Sequence, residues 1–167
     1  MITIRPAVAT DSPALFELMH ELAVYERYDH EFAINEAIVY QYGFSRTPPD
    51  FYAIVAEENE KLVGMVVYYF VPYTAIARPT LFIKELYVRE TARNQNVGKT
   101  LMQAVSQQAL EQNCGAIKWM VAPWNADGIR FYESLGAQEN TRWLHFDLNE
   151  TAFTELAHSK LLNPDNL

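Results

Sequence analysis

The sequence holds a single cysteine, Cys114. One thiol cannot close an internal disulfide, which excludes a disulfide-stapled secreted scaffold and points to a reducing compartment. Cys114 precedes a glycine at an expected helix end and has no histidine near it in sequence, so it reads as packing and not as a nucleophile. Histidine is also scarce. His20, His30, His145 and His158 stand at no metal-ligand spacing, and no metal site is expected. Lysine and arginine number 13 against 21 aspartates and glutamates, a net charge of -8. Such a surface repels phosphates and attracts cations, so no nucleic-acid partner is expected.

Long apolar runs are missing as well. The longest, Leu62 to Tyr73, falls well short of the ~20 residues that a membrane-spanning helix needs. The opening "MITIRPA" has no apolar core of signal-peptide length. The expectation is a cytoplasmic protein without a membrane partner. Repeats, linkers and low-complexity stretches are absent too, so the 167 residues read as one domain, 1–167.

What is present is a mixed pattern of periods. "MITIRPA" alternates as a strand does, and "TDSPALFELMHELAVYE" then places Leu15, Leu18, Met19 and Leu22 at helical spacing after Pro13. "INEAIVYQYGF" is a shorter helix closed by Gly43. "FYAIVAEENEKLVGMVVYYFVP" reads as a β-hairpin about a polar turn, and "LFIKELYV" as a strand with Glu85 inside it. A helix follows from Gly98 with Met102, Val105 and Ala109 facing inward. Then come a strand "AIKWMVAP", a short helix "NADGIRFYESLG", a last strand "RWLHFDL", and a terminal helical stretch near Thr151 to Leu162. The order βααβββαβαβ gives an α/β domain, a mixed and mostly antiparallel sheet flanked by helices.

Glycine is sparse, 6 in all, and its placing decides one question. "ARNQNVGKTL", 92–101, ends in Gly98-Lys99-Thr100, the tail of a nucleotide P-loop. That loop needs another glycine five residues before Gly98 so the backbone can fold around phosphates, and the position holds Arg93. The nucleotide-triphosphatase reading fails. A loop between a strand and a helix still presents unpaired N–H groups and the positive end of a helix dipole, an anion site with Arg93 and Lys99 beside it. The plain alternative is an ordinary loop with two solvated cations.

Arg93-Asn94-Gln95-Asn96-Val97-Gly98 resembles the Arg/Gln-x-x-Gly-x-Gly/Ala loop of the GCN5-related N-acetyltransferases, which binds the pyrophosphate of coenzyme A. Asn96 departs from that pattern, which usually has glycine. Asparagine tolerates positive φ best among the other residues, so the loop shape is expected to survive. "IRPA", "LYV" before the loop and "WNADGIRFYESLGA", 124–137, match in register, and the resemblance covers about 1–150. Through "ELAVYE", "YYF" and "WNADGIRFY" it is closest to the spermidine/spermine and diamine N-acetyltransferases.

The resemblance implies a set of roles. Acetyl-CoA is the cosubstrate, held by backbone groups of Leu86, Tyr87 and Val88, by the loop residues Arg93, Asn94, Gln95, Asn96, Val97, Gly98, Lys99 and Thr100, and by Asn125. Tyr132 sits where the family keeps its general acid, although an apolar neighbourhood with Phe131 and Leu135 also suits a packing tyrosine. Glu85 faces the amine in that family; from the residues alone it is equally an outward charge, since Lys84 beside it shows that the strand has two faces. Tyr25 and Glu26 line the substrate cleft of the polyamine enzymes, and Trp143 joins them. Read without the family, Tyr25, Glu26, Asp29 and Glu31 form a solvated helix end.

The expected function is direct acetyl transfer to a small cationic amine, a diamine or polyamine, whose approach the net charge favours. Two other readings stay open: transfer to another amine (a lysine analogue, an aminoglycoside, a protein amine), or a non-catalytic CoA-binding sensor. A homodimer is expected from the family and from the aromatic "YYF" and "RWLHF" strands.

Overall fold

The structure is a computed structural model that describes residues 1–72 and 74–159. Tyr73 and the end of the expected terminal helix, 160–162, lie outside the described residues. Alternation in "ITIRP" makes β1 (Ile2–Pro6), and the 3.6-residue spacing that follows makes α1 (Ser12–Tyr25), with Pro13 in its first turn. Leu15, Leu18, Met19 and Leu22 are its buried face. The Asn35 side chain accepts a hydrogen bond from the Ile38 N–H at 3.0 Å and so opens α2 (Glu36–Gly43).

The hairpin forms as expected. β2 (Tyr52–Glu58) and β3 (Lys61–Val71) are joined by Asn59 and Glu60, with φ of 49° and 62°. Positive φ at both central positions is the turn whose twist matches two antiparallel strands. β4 (Thr80–Val88), α3 (Val97–Glu111), β5 (Ala116–Lys118) and α4 (Ala126–Ser134) complete the order. The sheet runs β1-β2-β3-β4-β5, antiparallel through β4 and parallel between β4 and β5.

β3 is the centre. Leu62 through Tyr68 are all buried, as a strand covered on both faces requires. Met65 and Val67 join Leu15, Leu18, Met19, Leu22 and Val39 in one apolar cluster. On the opposite face Gly64 leaves room for α3: a Cβ there would stand 3.3 Å from Leu101 Cδ1 and 3.0 Å from Tyr87 O. Arg5 on β1 fixes the entry to α1, pairing with Asp11 at 2.7 Å and with Glu57 on β2 at 2.6 Å.

β5 is shorter than "AIKWMVAP" predicts. It pairs with Thr80, Leu81 and Phe82 and goes no further, and Met120 is exposed. The register of β3 on β4 shifts between Val67 and Tyr68, so Lys84 is an extra residue. A bulge increases local twist, and the parallel neighbour does not follow β4 past it.

Contacts divide the chain into two units, Met1–Phe131 and Tyr132 onward. In the second, α4 ends, Gly136 turns at φ 86°, and Asn149 caps α5 (Glu150–His158) by accepting from the Ala152 N–H at 2.9 Å. The expected strand "RWLHFDL" is not formed: 142–148 carry no ladder, and Trp143, Leu144, Phe146 and Leu148 are exposed. Alternation specifies a face, but a strand exists only where a neighbour completes its hydrogen bonds, and among the described residues none does. No helix of the described residues is long and apolar enough to cross a membrane.

Gly64→Ala should therefore lower stability by about 1–3 kcal/mol, because its methyl group meets the backbone of β4 and the core of α3 together. Chemical denaturation measures the loss; an unchanged midpoint would mean that α3 and β4 can part at no cost.

Candidate active site

The first element of the site is an open sheet edge. Leu86, Tyr87 and Val88 face β3 through Val66, Met65 and Gly64, but β5 has already left the other side of β4. Backbone groups on that side lack a strand partner among the described residues, and a buried backbone group needs one. One carbonyl there, Val88 O, accepts from Arg93 Nε at 3.0 Å.

The loop beyond Val88 has the shape expected of it. Asn94 and Asn96 take φ of 61° and 62°, so the residue that departs from the family pattern adopts the conformation glycine would supply. Asn96 is the N-cap of α3, and the first intrahelical bond runs from the Thr100 N–H to Asn96 O at 2.9 Å. The N–H groups of Val97, Gly98 and Lys99 precede that bond and form the positive end of the helix. Gly98 leaves space for Phe131, whose Cζ would lie 3.3 Å from an added Cβ. An open strand edge running into a helix N-terminus fits a long ligand with an amide arm and a phosphate end.

The second element is a buried acid. Glu85 is 6% exposed, and its Oε2 has no hydrogen-bond partner among the described residues. The bulge at Lys84 puts Glu85 opposite Val67, on the buried side, while Lys84 is exposed. The outward-charge alternative for Glu85 does not hold. Burial pushes its carboxyl up to about 7; Lys84 opposes the shift and Glu26 adds to it. Glu26 is itself raised by burial, with Lys84 pulling it down. Tyr28 stands against the same pair, its phenol pushed up to about 12 by burial, then by Glu85 and Glu26. Glu26 and Glu85 both act on Tyr28, and Glu26 on Glu85, so the three groups lie within electrostatic reach of one another. Asp29 and Glu31 are exposed in the turn that follows.

The third element joins the other two. The Tyr25 hydroxyl lies 3.3 Å from Asn125 Oδ1, which also accepts from the Gly128 N–H at 2.9 Å and so caps α4. The Tyr25 ring is 5.9 Å from Trp124 and 5.2 Å from the Arg93 guanidinium, which lies 5.9 Å from Tyr87. Arg27 covers the other ring of the set, 4.9 Å from the centroid of Trp124. Tyr25 thus touches the residues expected at the cofactor, while Glu26, next in sequence, is within electrostatic reach of Glu85.

Tyr132 lies in the last turns of α4, where its carbonyl accepts from the Leu135 and Ala137 N–H groups at 3.0 and 3.1 Å. Trp143 belongs to the second unit, 67% exposed, with the Arg142 guanidinium 5.1 Å from its ring. Sequence reasoning passed over Arg27, Tyr28 and Trp124. The run Tyr25-Glu26-Arg27-Tyr28 was the available signal, because a reversal after a helix aims consecutive residues in different directions. Among the described residues no group of three or more His, Cys, Asp or Glu could hold a metal ion. A separate cavity of about 380 Å³, lined by Phe51, Tyr52, Tyr68 and Gln107 among others, contains none of the residues of this site.

Comparison with known proteins gives one consistent answer. The sequence profile of the acetyltransferase (GNAT) family matches residues 13–137. Thialysine N-epsilon-acetyltransferase of Mus musculus is 30% identical, across 92% of this chain and 96% of that protein. The spermidine/spermine N(1)-acetyltransferase-like protein 1 of Homo sapiens is 28% identical, across 92% of this chain and 23% of that protein. A solved integron cassette protein from the mobile metagenome of V. cholerae shares the fold, with a TM-score of 0.78, 22% identity, and coverage of 95% and 98% of the two chains. The half-paired β4 and the positive helix start accompany the family match: this chain belongs to the acetyltransferase (GNAT) family and is an N-acetyltransferase.

Proposed function

We propose that the protein transfers an acetyl group directly from acetyl-CoA to the terminal primary amine of a small molecule that carries a second positive charge. Diamines and polyamines are the simplest members of that class. The observation that carries the reading is Glu85 itself, 6% exposed on the open-edged β4, with an Oε2 that has no hydrogen-bond partner among the described residues and with Glu26 in electrostatic reach. Bound acetyl-CoA supplies the acetyl group as an activated thioester. The N–H groups of Val97, Gly98 and Lys99, with Arg93, Asn94, Gln95, Asn96 and Thr100, would hold its pyrophosphate, and Leu86, Tyr87, Val88 and Asn125 its pantetheine arm.

An alkylammonium with pKa ~10.4 is almost wholly charged at neutral pH and must lose a proton before it can attack a carbonyl. Glu85, raised to about 7, is a base matched to that pH and is close to its substrate in charge logic: anionic, it attracts the ammonium, and protonated, it releases the product. Glu26 holds the second cation and so turns the first toward the base. An N–H of Leu86, Tyr87 or Val88 would polarise the acetyl carbonyl, and the Tyr132 phenol would give the proton that the departing sulfur needs.

Three outcomes test this reading. Glu85→Gln should cut kcat by about 10²-fold or more and remove the inflection near pH 7 from the kcat/KM profile. Stability should move the other way. The folded carboxyl titrates above its ordinary 4.5, so its contribution is full below about pH 4.5 and is lost as pH rises through about 7. Glu85→Gln escapes that loss and should exceed the parent protein at pH 8 by on the order of 3 kcal/mol, with the gap closing toward pH 4. Equal thermal stability at both pH values would mean that Glu85 is solvated.

Tyr132→Phe should fold with an unchanged melting temperature and lose about 10²–10⁴ in kcat. Full activity across the pH range would reduce Tyr132 to packing.

Putrescine should exceed butylamine in kcat/KM, by a margin that shrinks as salt rises, and Glu26→Gln should erase most of that margin. If butylamine equals putrescine at low salt, the second charge is not read.

A further inference from the structure

Away from the open edge of β4, the sheet and α3 border a second cavity, the one of about 380 Å³. Strand alternation sets its floor. Ala56 pairs with Gly64, the residue that α3 packs on, so Tyr52 and Ile54 on β2 and Val66 and Tyr68 on β3 point to the same side. Tyr52 and Tyr68 are direct partners across the two strands, with their rings stacked at 5.6 Å. Gly43 ends α2 without a side chain, and Phe51 takes the space: an added Cβ would stand 2.7 Å from Phe51 Cζ. Phe44 closes on Phe51 edge to face at 6.4 Å. On α3 the small Ala104 leaves room, and Gln108 follows one turn later on the same flank. A cavity of 380 Å³ walled by four aromatic rings has the size of a small-molecule site, roughly 300–1,000 Å³.

The polar groups on its wall are spent in one direction only. Arg5 is engaged by Asp11 and Glu57. Gln107 and Gln108 each give Nε2 to one oxygen of Glu111, at 3.1 and 2.9 Å, so each keeps a carbonyl oxygen without a partner among the described residues. The hydroxyls of Tyr52 and Tyr68 have no hydrogen-bond partner there either, although Tyr68 is only 4% exposed. Burial first, then Tyr52 and Glu111, pushes the Tyr68 phenol up to about 12, so it stays a neutral group. Acceptors and ring faces are what remain free, beside a carboxylate. An anion would find no unengaged cation in this wall, whereas an ammonium brings donors for the acceptors and a charge for the rings and for Glu111.

We propose that this cavity is a second binding site, one that takes a primary ammonium carried on an aromatic ring. The ligand's ring would lie among Phe44, Phe51 and Ile54, where offset and edge contacts are available. Its ammonium would turn to the carbonyls of Gln107 and Gln108 and to the Tyr68 hydroxyl, with Glu111 behind them. The site shares no residue with the acetyl-transfer site, and the proposal stands whether or not that transfer reading holds.

Titration calorimetry with benzylammonium, benzyl alcohol and benzoate separates the terms, because the three share a ring and differ in charge. No acyl donor is added, so no transfer intervenes. The parent protein should bind benzylammonium more tightly than benzyl alcohol by about tenfold or more, and benzoate more weakly than either. Glu111 is exposed, and Glu111→Gln should bring the first ratio below about threefold with thermal unfolding unchanged. Ala104→Trp should fill the cavity and remove the binding of both. Tyr68→Phe loses one hydroxyl and little volume; it should weaken benzylammonium about threefold or more, and it decides the matter if Ala104→Trp does not fold. Glu85→Gln should leave the affinity unchanged. Equal binding of benzylammonium and benzyl alcohol, tightest binding of benzoate, or an affinity that none of the three cavity variants alters overturns the proposal. Binding that Glu85→Gln abolishes and the cavity variants spare overturns it as well, since the probe is then in the active site.

Discussion

Everything functional in this chain depends on a sheet that is not finished. β4 is hydrogen-bonded along its full length to β3 but only across Thr80, Leu81 and Phe82 to β5. Main-chain N–H and C=O groups are obligatory hydrogen-bonding groups, and a run of them left on one side of a strand is a template for whatever extended chain comes next. The bulge at Lys84 is what separates the two neighbours, and the same extra residue turns Glu85 inward. One backbone irregularity thus makes both the slot and the acid beside it. Because Gly64 lets α3 press close to β3, the positive start of α3 lies at the end of that slot.

The two buried acids among the described residues differ in how they are satisfied. Asp11 is matched by Arg5 through two hydrogen bonds of 2.7 and 2.9 Å and accepts a third from the Val8 N–H, and its carboxyl lies below the ordinary range. It ties β1 to α1 and is satisfied. Glu85 is as well hidden, and one of its oxygens has no partner among the described residues. A fold selected for stability alone would place leucine there, since an unmatched buried polar atom costs about 1–3 kcal/mol. Keeping the acid raises its proton affinity into the range where it can exchange protons near neutral pH.

Much of this was legible in the chain, for reasons that differ by element. Leu15, Leu18, Met19 and Leu22 declare the buried face of α1 because a helix repeats its faces, and Asn35, Asn125 and Gly136 mark ends by local chemistry. Asn96 was expected to stand in for a glycine and does so at φ 62°. "RWLHFDL" failed because pairing is a property of two segments, and the stretch carries information about only one. Glu85 stayed ambiguous for the same reason: whether the residue after Lys84 faces in or out is decided by a register shift against β3. The left-handed backbone of Arg27, at φ 65°, was unreadable, since nothing about arginine announces it.

Tyr25 gives the site a property that no single residue has. Its hydroxyl is on Asn125 and its ring is on Arg93, and the next residue, Glu26, is within electrostatic reach of Glu85. An anion that draws Arg93 away from Val88 O also takes a cation off the face of Tyr25, and the end of α1 must answer. Under the proposed transfer, ligands on the two sides would then be thermodynamically linked, and whatever factor the acyl donor applied to the affinity of the amine, the amine would apply to the acyl donor.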